Sequence, residues 1–90
     1  MSGRGYSVLI SPAAWRAIMK LSEAMQRRVF TAIEALENEP RPSGVVKLEG
    51  ESNTYRLRSG DYRIIYEIED AALRVLVVKV GDRKEVYKPR

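Results

Sequence analysis

Arginines punctuate the segment Tyr55-Arg56-Leu57-Arg58-Ser59-Gly60-Asp61-Tyr62-Arg63-Ile64-Ile65-Tyr66, and their spacing carries more information than their number. The segment reads as two strands joined by Ser-Gly, a turn dipeptide. With Ser59 and Gly60 as a two-residue loop, Arg58 faces Asp61, Leu57 faces Tyr62, and Arg56 lies directly opposite Arg63. Like charges directly opposite each other on a sheet face are destabilising. A fold that keeps such a pair has an anion to place there, and phosphate is the first candidate. The plainer alternative is a solvated face of a half-exposed antiparallel sheet, where charges are common. Against it, Glu67 and Glu69 can offset one arginine each but not the central pair. Further along, Arg83, Lys84 and Lys88 surround Tyr87, in a segment that could return to the same neighbourhood. A tyrosine phenol titrates near about 10. Surrounding cations favour the phenolate and bring that value closer to useful general-base strength.

Arginines facing a phosphodiester, together with a tyrosine base, suffice for one reaction. The ribose 2′-hydroxyl of RNA attacks its own adjacent phosphate, leaving a cyclic phosphate and a free 5′-hydroxyl. The nucleophile belongs to the substrate, so neither a protein nucleophile, a metal nor a cofactor is called for. The protein removes a proton, aligns the attack and stabilises charge on the phosphorane. Composition leaves few other routes. The 90 residues contain no cysteine, which excludes disulfides, thiolate nucleophiles and cysteine metal sites. They contain no histidine, the most common general acid/base and transition-metal ligand. Catalysis therefore falls to Tyr, Lys, Arg or carboxylates. A formal net charge of +4 permits nucleic-acid binding, but the placement of that charge decides more than its total.

The elements that position these side chains are those of one small domain spanning 1–90. A hydrophobic fraction of 44% is ordinary for a folded chain of this length. Met1-Ser2-Gly3-Arg4-Gly5 lacks the apolar core of a signal peptide, and no apolar run approaches membrane-spanning length. These features predict a cytoplasmic protein. Tyr6 to Ile10 reads as a first strand. Ser11-Pro12 reads as a helix start, with Ser able to cap free amides and Pro suited to the first position. Ala14, Trp15, Ile18 and Leu21 follow at helical spacing and predict packing for Trp15. Ser22 caps a second helix with Met25, Val29, Ala32, Ile33 and Leu36 on its apolar stripe. That helix ends before Pro40, because the residue preceding proline resists helical dihedrals.

Pro40-Arg41-Pro42-Ser43-Gly44 is loop by composition, and Val45 to Leu48 reads as extended. Tyr55–Arg58, Tyr62–Ile68 and Leu73–Val80 read as strands, with a turn at 69–72. Leu73–Val80 is apolar at nearly every position, which predicts a central strand covered on both faces. The order gives an α+β domain: a small antiparallel β-α-α-β-β-β sheet with a helical hairpin packed on one face. Tyr55, Leu57, Tyr62, Ile64, Tyr66 and Ile68 share the inner face in this register, while Arg56, Arg58 and Arg63 share the other.

The block Tyr55–Tyr66, followed by Val80-Gly81-Asp82-Arg83-Lys84-Glu85-Val86-Tyr87, resembles the RelE toxins of the RelE/ParE toxin–antitoxin superfamily. Pro40-Arg41-Pro42, Lys47-Leu48-Glu49-Gly50 and the helical hairpin match as well. The resemblance implies a metal-independent endoribonuclease that enters the ribosomal A site and cuts the mRNA codon there. It places the family's basic pair on Arg56 and Arg58 and its transition-state arginine on Arg63. Its second phosphate-binding arginine falls on Arg83 and its tyrosine base on Tyr87; Lys84 and Lys88, read from their place beside Tyr87 and not from the resemblance, are further candidate phosphate-binding cations. The basic pair is often lysine in the family, and arginine is a poor proton acceptor. Many relatives carry a basic residue where this chain has Asp82; an acidic neighbour would raise the Tyr87 pKa. The resemblance also implies a cognate antitoxin, with operator DNA contacted only through it. Two alternatives share the fold. One is a ParE-type, non-catalytic inhibitor of DNA gyrase, whose relatives commonly lack the complete Arg and Tyr set. The other is a degenerate toxin that only binds antitoxin or RNA.

Overall fold

The computed structural model describes residues 5–48, 50 and 52–82. Strand β1 (Ser7–Ile10) leads into helix α1 (Pro12–Met19) and helix α2 (Glu23–Ala35). A two-residue strand β2 (Val46–Lys47) precedes β3 (Thr54–Ser59), β4 (Tyr62–Glu69) and β5 (Arg74–Asp82). Both helix starts are dictated by serine. The Ser11 hydroxyl accepts from the Ala14 amide at 3.1 Å, and Ser22 accepts from the Met25 amide at 3.2 Å. Each thereby satisfies one amide that the first turn leaves unpaired. Beyond α2 the chain turns into the loop at Pro40, as the proline requires.

The strands form one five-stranded sheet in the order β1-β5-β4-β3-β2. The meander β2-β3-β4-β5 is antiparallel, as expected, and β1 adds in parallel beside β5. That makes the sheet mixed: the helical hairpin carries the chain from β1 to the far edge at β2, and the meander then brings β5 back beside β1 in the parallel sense. Ala14 and Ile18 of α1 and Val29 and Ile33 of α2 pack against Ile64, Tyr66, Ile68, Val75, Val77 and Val80. This is the expected arrangement of two helices on one sheet face.

Three expectations need correction. The β3–β4 turn is Gly60-Asp61, not Ser59-Gly60, so Ser59 pairs with Tyr62, Arg58 with Arg63 and Arg56 with Ile65. Gly60 has φ 62°, and it is the single residue of this loop with positive φ. A type II′ turn asks for positive φ at its first central position alone, which glycine supplies without strain and Ser59 would not. Strand β5 is an interior strand but is covered on one face only, because Arg74 and Lys79 are exposed while Val75, Val77 and Val80 are buried. Finally, Trp15 is 46% exposed and leans on Phe30 with ring centroids 5.7 Å apart, rather than entering the core.

The far end of the sheet is tied by one polar network. Arg41 donates to both carboxylate oxygens of Asp70 at 3.2 and 2.8 Å, and through Nε to the Tyr55 hydroxyl at 3.1 Å. The Tyr6 hydroxyl donates to Asp70 at 2.7 Å. These donors, Arg41 first and Tyr6 second, hold the Asp70 carboxyl down at about 2. A depressed carboxylate contributes stability that is complete above its unfolded value near about 3.9 and is lost as pH falls through the folded one. The parent is therefore expected to lose thermal stability between pH 4 and about pH 2 more steeply than Asp70→Asn. Melting curves at pH 5 and pH 2.5 check this.

Candidate nucleic-acid interface

The corrected register sharpens the arginine cluster. Arg58 and Arg63 now stand directly opposite across β3 and β4, with Cβ atoms about 4.5–5.5 Å apart on such a pair. Arg56 sits at the diagonal to Arg63, since it pairs with Ile65. All three project from the sheet face away from the helices, as the alternation of β3 and β4 demands. The like-charge confrontation read in the sequence is thus present, with Arg58 in the place assigned to Arg56.

Arg63 is the unusual member. It is 8% exposed, whereas Arg58 is exposed and Arg56 half-buried. Among the described residues no hydrogen bond or ion pair engages the Arg63 guanidinium. The two ion pairs formed among them, Arg41–Asp70 and Arg74–Glu69, leave Arg58 and Arg63 aside. Among the described residues no fully buried side-chain nitrogen lacks a partner, so the small exposed area of Arg63 includes its guanidinium. On β5 its cross-strand partner is Gly81, which sets no side chain against it. A guanidinium held this far from water, facing a second one, acts on an anion with less dielectric screening than a surface lysine does. Its planar fork also matches two phosphate oxygens at once.

Asp82 takes the other face. It pairs with Tyr62 and lines a cleft of about 270 Å³ with Ala17, Lys20 and Leu21 at the end of α1. The acidic departure noted in the sequence therefore points to the helix side and not toward Arg63. Arg83, Lys84, Tyr87 and Lys88, the remaining site residues read from the sequence, lie outside the described residues. Among the described residues no group of three or more acidic side chains is arranged to hold a metal ion.

Sequence reasoning missed Lys79, a cation on the arginine face with no ionic partner among the described residues. It is directly across β4–β5 from Ile65. A bulge explains both its position and why it was overlooked. The register shifts between Ile65 and Tyr66, so that Val77 pairs with Tyr66 and Lys79 with Ile65, leaving Val78 as the extra residue of β5. Simple alternation from Val75 and Val77 would drive the Lys79 side chain into the core. The extra residue turns it out and returns Val80 to the core, where it is 4% exposed. The signal available in sequence was a lone lysine within an apolar run.

Comparison with known proteins agrees with this architecture. The family described as the ParE toxin of the type II toxin–antitoxin system parDE matches residues 8–87. The chain is 29% identical over 84 residues to Toxin RelG of Mycobacterium tuberculosis, covering 92% of this chain and 97% of that protein. It superposes on the archaeal RelE–RelB complex of Pyrococcus horikoshii with a TM-score of 0.79 and 34% identity, covering 88% of this chain and 96% of that one. A free-state mutant of the E. coli toxin RelE gives a TM-score of 0.76 at 28% identity, covering 92% and 90% of the two chains.

Proposed function

The chain belongs to the ParE toxin family of type II toxin–antitoxin systems and, within the RelE/ParE superfamily, is a RelE-type toxin, and on that basis we propose that it is a ribosome-dependent mRNA endonuclease. The observation that carries the reading is Arg63, nearly buried on the outer sheet face, without an ionic partner among the described residues and directly opposed by Arg58. Folding does not retain two facing cations for its own benefit.

In this mechanism the mRNA in the A site lies across the outer face. Arg63 and Arg58 take the non-bridging oxygens of the scissile phosphate, and Arg56 supports them from the diagonal. Charge grows on those oxygens as the 2′-hydroxyl attacks, so the contacts to Arg63 strengthen toward the transition state. Tyr87 accepts the 2′-hydroxyl proton, Arg83 adds a second phosphate contact, and Lys84 and Lys88 favour the phenolate. The attacking oxygen bonds to phosphorus as the 5′-oxygen departs and takes up a proton. No metal or cofactor enters any step. A cognate antitoxin, of the kind found as RelB with the archaeal relative, would silence the toxin by covering this face. Operator DNA would be contacted through that antitoxin alone, and the site of action would be the cytoplasm, where ribosomes are.

A second reading is a gyrase inhibitor, favoured by the ParE description of the matching family. Adding the purified chain to translating ribosomes, and in parallel to a gyrase supercoiling assay, separates the two. Codon-aligned new 5′ ends on the mRNA, with supercoiling unaffected, are the expected outcome. Intact mRNA with blocked supercoiling would transfer the protein to the second reading. No helix among the described residues is long and apolar enough to cross a membrane, and neither reading calls for one.

A further inference from the structure

The outer face carries a two-by-three grid of positions across β3, β4 and β5. One row is Arg58, Arg63, Gly81, and the next is Arg56, Ile65, Lys79. Lys79 and Arg56 therefore flank Ile65 symmetrically from the two neighbouring strands. Each lies at the diagonal to Arg63, about 7–8 Å away, and β3 and β5 are about 9.6 Å apart, two strand spacings.

We propose that Lys79 binds a phosphate next to the scissile one on a single-stranded RNA, with Ile65 as the apolar floor under the nucleoside between them. Four observations support this. Lys79 is exposed, so its ammonium is available. Among the described residues no carboxylate pairs with it. The nearest acidic side chain along β4 on this face is Glu67, which is opposite Leu76 and a bulged step away from Lys79. Ile65 lies between Arg56 and Lys79 and keeps 9% of its surface exposed, a small apolar area on which a base or ribose can rest. A nucleic acid offers that combination, an apolar base or ribose carried between two phosphates. The bulge at Val78 makes the site, since without it the lysine would face the helices.

Lys79 is on this account a positioning residue: it holds the strand in register and does not touch the reacting atoms. The inference rests on the proposal that this face receives RNA. The test uses the full chain and a short single-stranded RNA methylated at every 2′-oxygen, so that it cannot be cut, with affinity followed by fluorescence anisotropy over a series of NaCl concentrations. A phosphate contact on a single strand contributes about 0.7 to the slope of log affinity against log salt. Lys79→Ala is expected to flatten the slope by about that amount and to weaken binding by up to about fivefold. Lys79→Arg should restore the slope, and Lys20→Ala, on the opposite face, should match the parent. In cleavage on ribosomes, Lys79→Ala should raise KM and leave kcat unchanged. A Lys79→Ala slope equal to that of the parent overturns the inference. If the parent leaves mRNA intact on ribosomes while Lys79→Ala still flattens the slope, the phosphate site stands and the cleavage reading falls. If the parent cuts mRNA and the slopes coincide, the reverse holds.

Discussion

Arg63→Ala is expected to slow single-turnover cleavage of ribosome-bound mRNA by about a hundredfold or more, the usual loss when one preorganised charge-stabilising donor is removed. The size follows from placement. Arg63 is 8% exposed, so its charge meets the phosphorane with little water between them. It is also central to the cluster, opposite Arg58 and diagonal to Arg56. Arg63→Lys keeps the charge but loses the fork, and should recover only part of the rate. The fold should tolerate the alanine, because its removal relieves the repulsion with Arg58 and so offsets part of the packing lost. A large fall in rate with an almost unchanged melting temperature is the expected pair of results. An unfolded variant would show the opposite balance.

Tyr66→Ala is expected to cost about 3–5 kcal/mol, as loss of a large buried aromatic does. Tyr66 is fully buried, stacks on Tyr55 with ring centroids 6.0 Å apart, and donates its hydroxyl proton to the Pro40 carbonyl at 2.7 Å. Burial is also what pushes its phenol well above the ordinary value, so it remains a donor throughout the useful pH range. Tyr66→Phe keeps the ring but leaves the Pro40 carbonyl without its donor, at a cost of about 1–3 kcal/mol. A domain with a stability of about 5–15 kcal/mol survives the phenylalanine, whereas the alanine variant stands near the edge of unfolding. Urea midpoints of the three proteins measure the differences. Equal midpoints for parent and Tyr66→Ala would deny Tyr66 its role in the core.

The helices were legible in the sequence because their starts rest on local chemistry. Ser11-Pro12 and Ser22 needed no tertiary information, and both caps form as read. The inner face of β4 was equally plain, since Ile64, Tyr66 and Ile68 alternate without interruption. What escaped the sequence depended on one-residue choices. The turn at Gly60-Asp61 is decided by which residue can adopt positive φ, and sliding it by one moves the arginine confrontation from Arg56 to Arg58. The parallel addition of β1 to β5 is a long-range pairing that no local pattern specifies. Lys79 was hidden by a bulge, which breaks the period-two alternation on which strand reading relies. Trp15 fitted the apolar stripe of α1 yet lies half out of the protein, since a short helix buries only a narrow face, here Ala14 and Ile18.

The decisive measurement is the chemistry of the ends on mRNA cut by the purified chain on ribosomes. Attack by the neighbouring 2′-hydroxyl predicts a 2′,3′-cyclic phosphate on the upstream fragment and a free 5′-hydroxyl downstream. It also predicts no cutting when the nucleotide bearing that hydroxyl is replaced by its 2′-deoxy form. Fragments ending in a 3′-hydroxyl and a 5′-phosphate, or undiminished cutting of the deoxy substrate, would contradict the account.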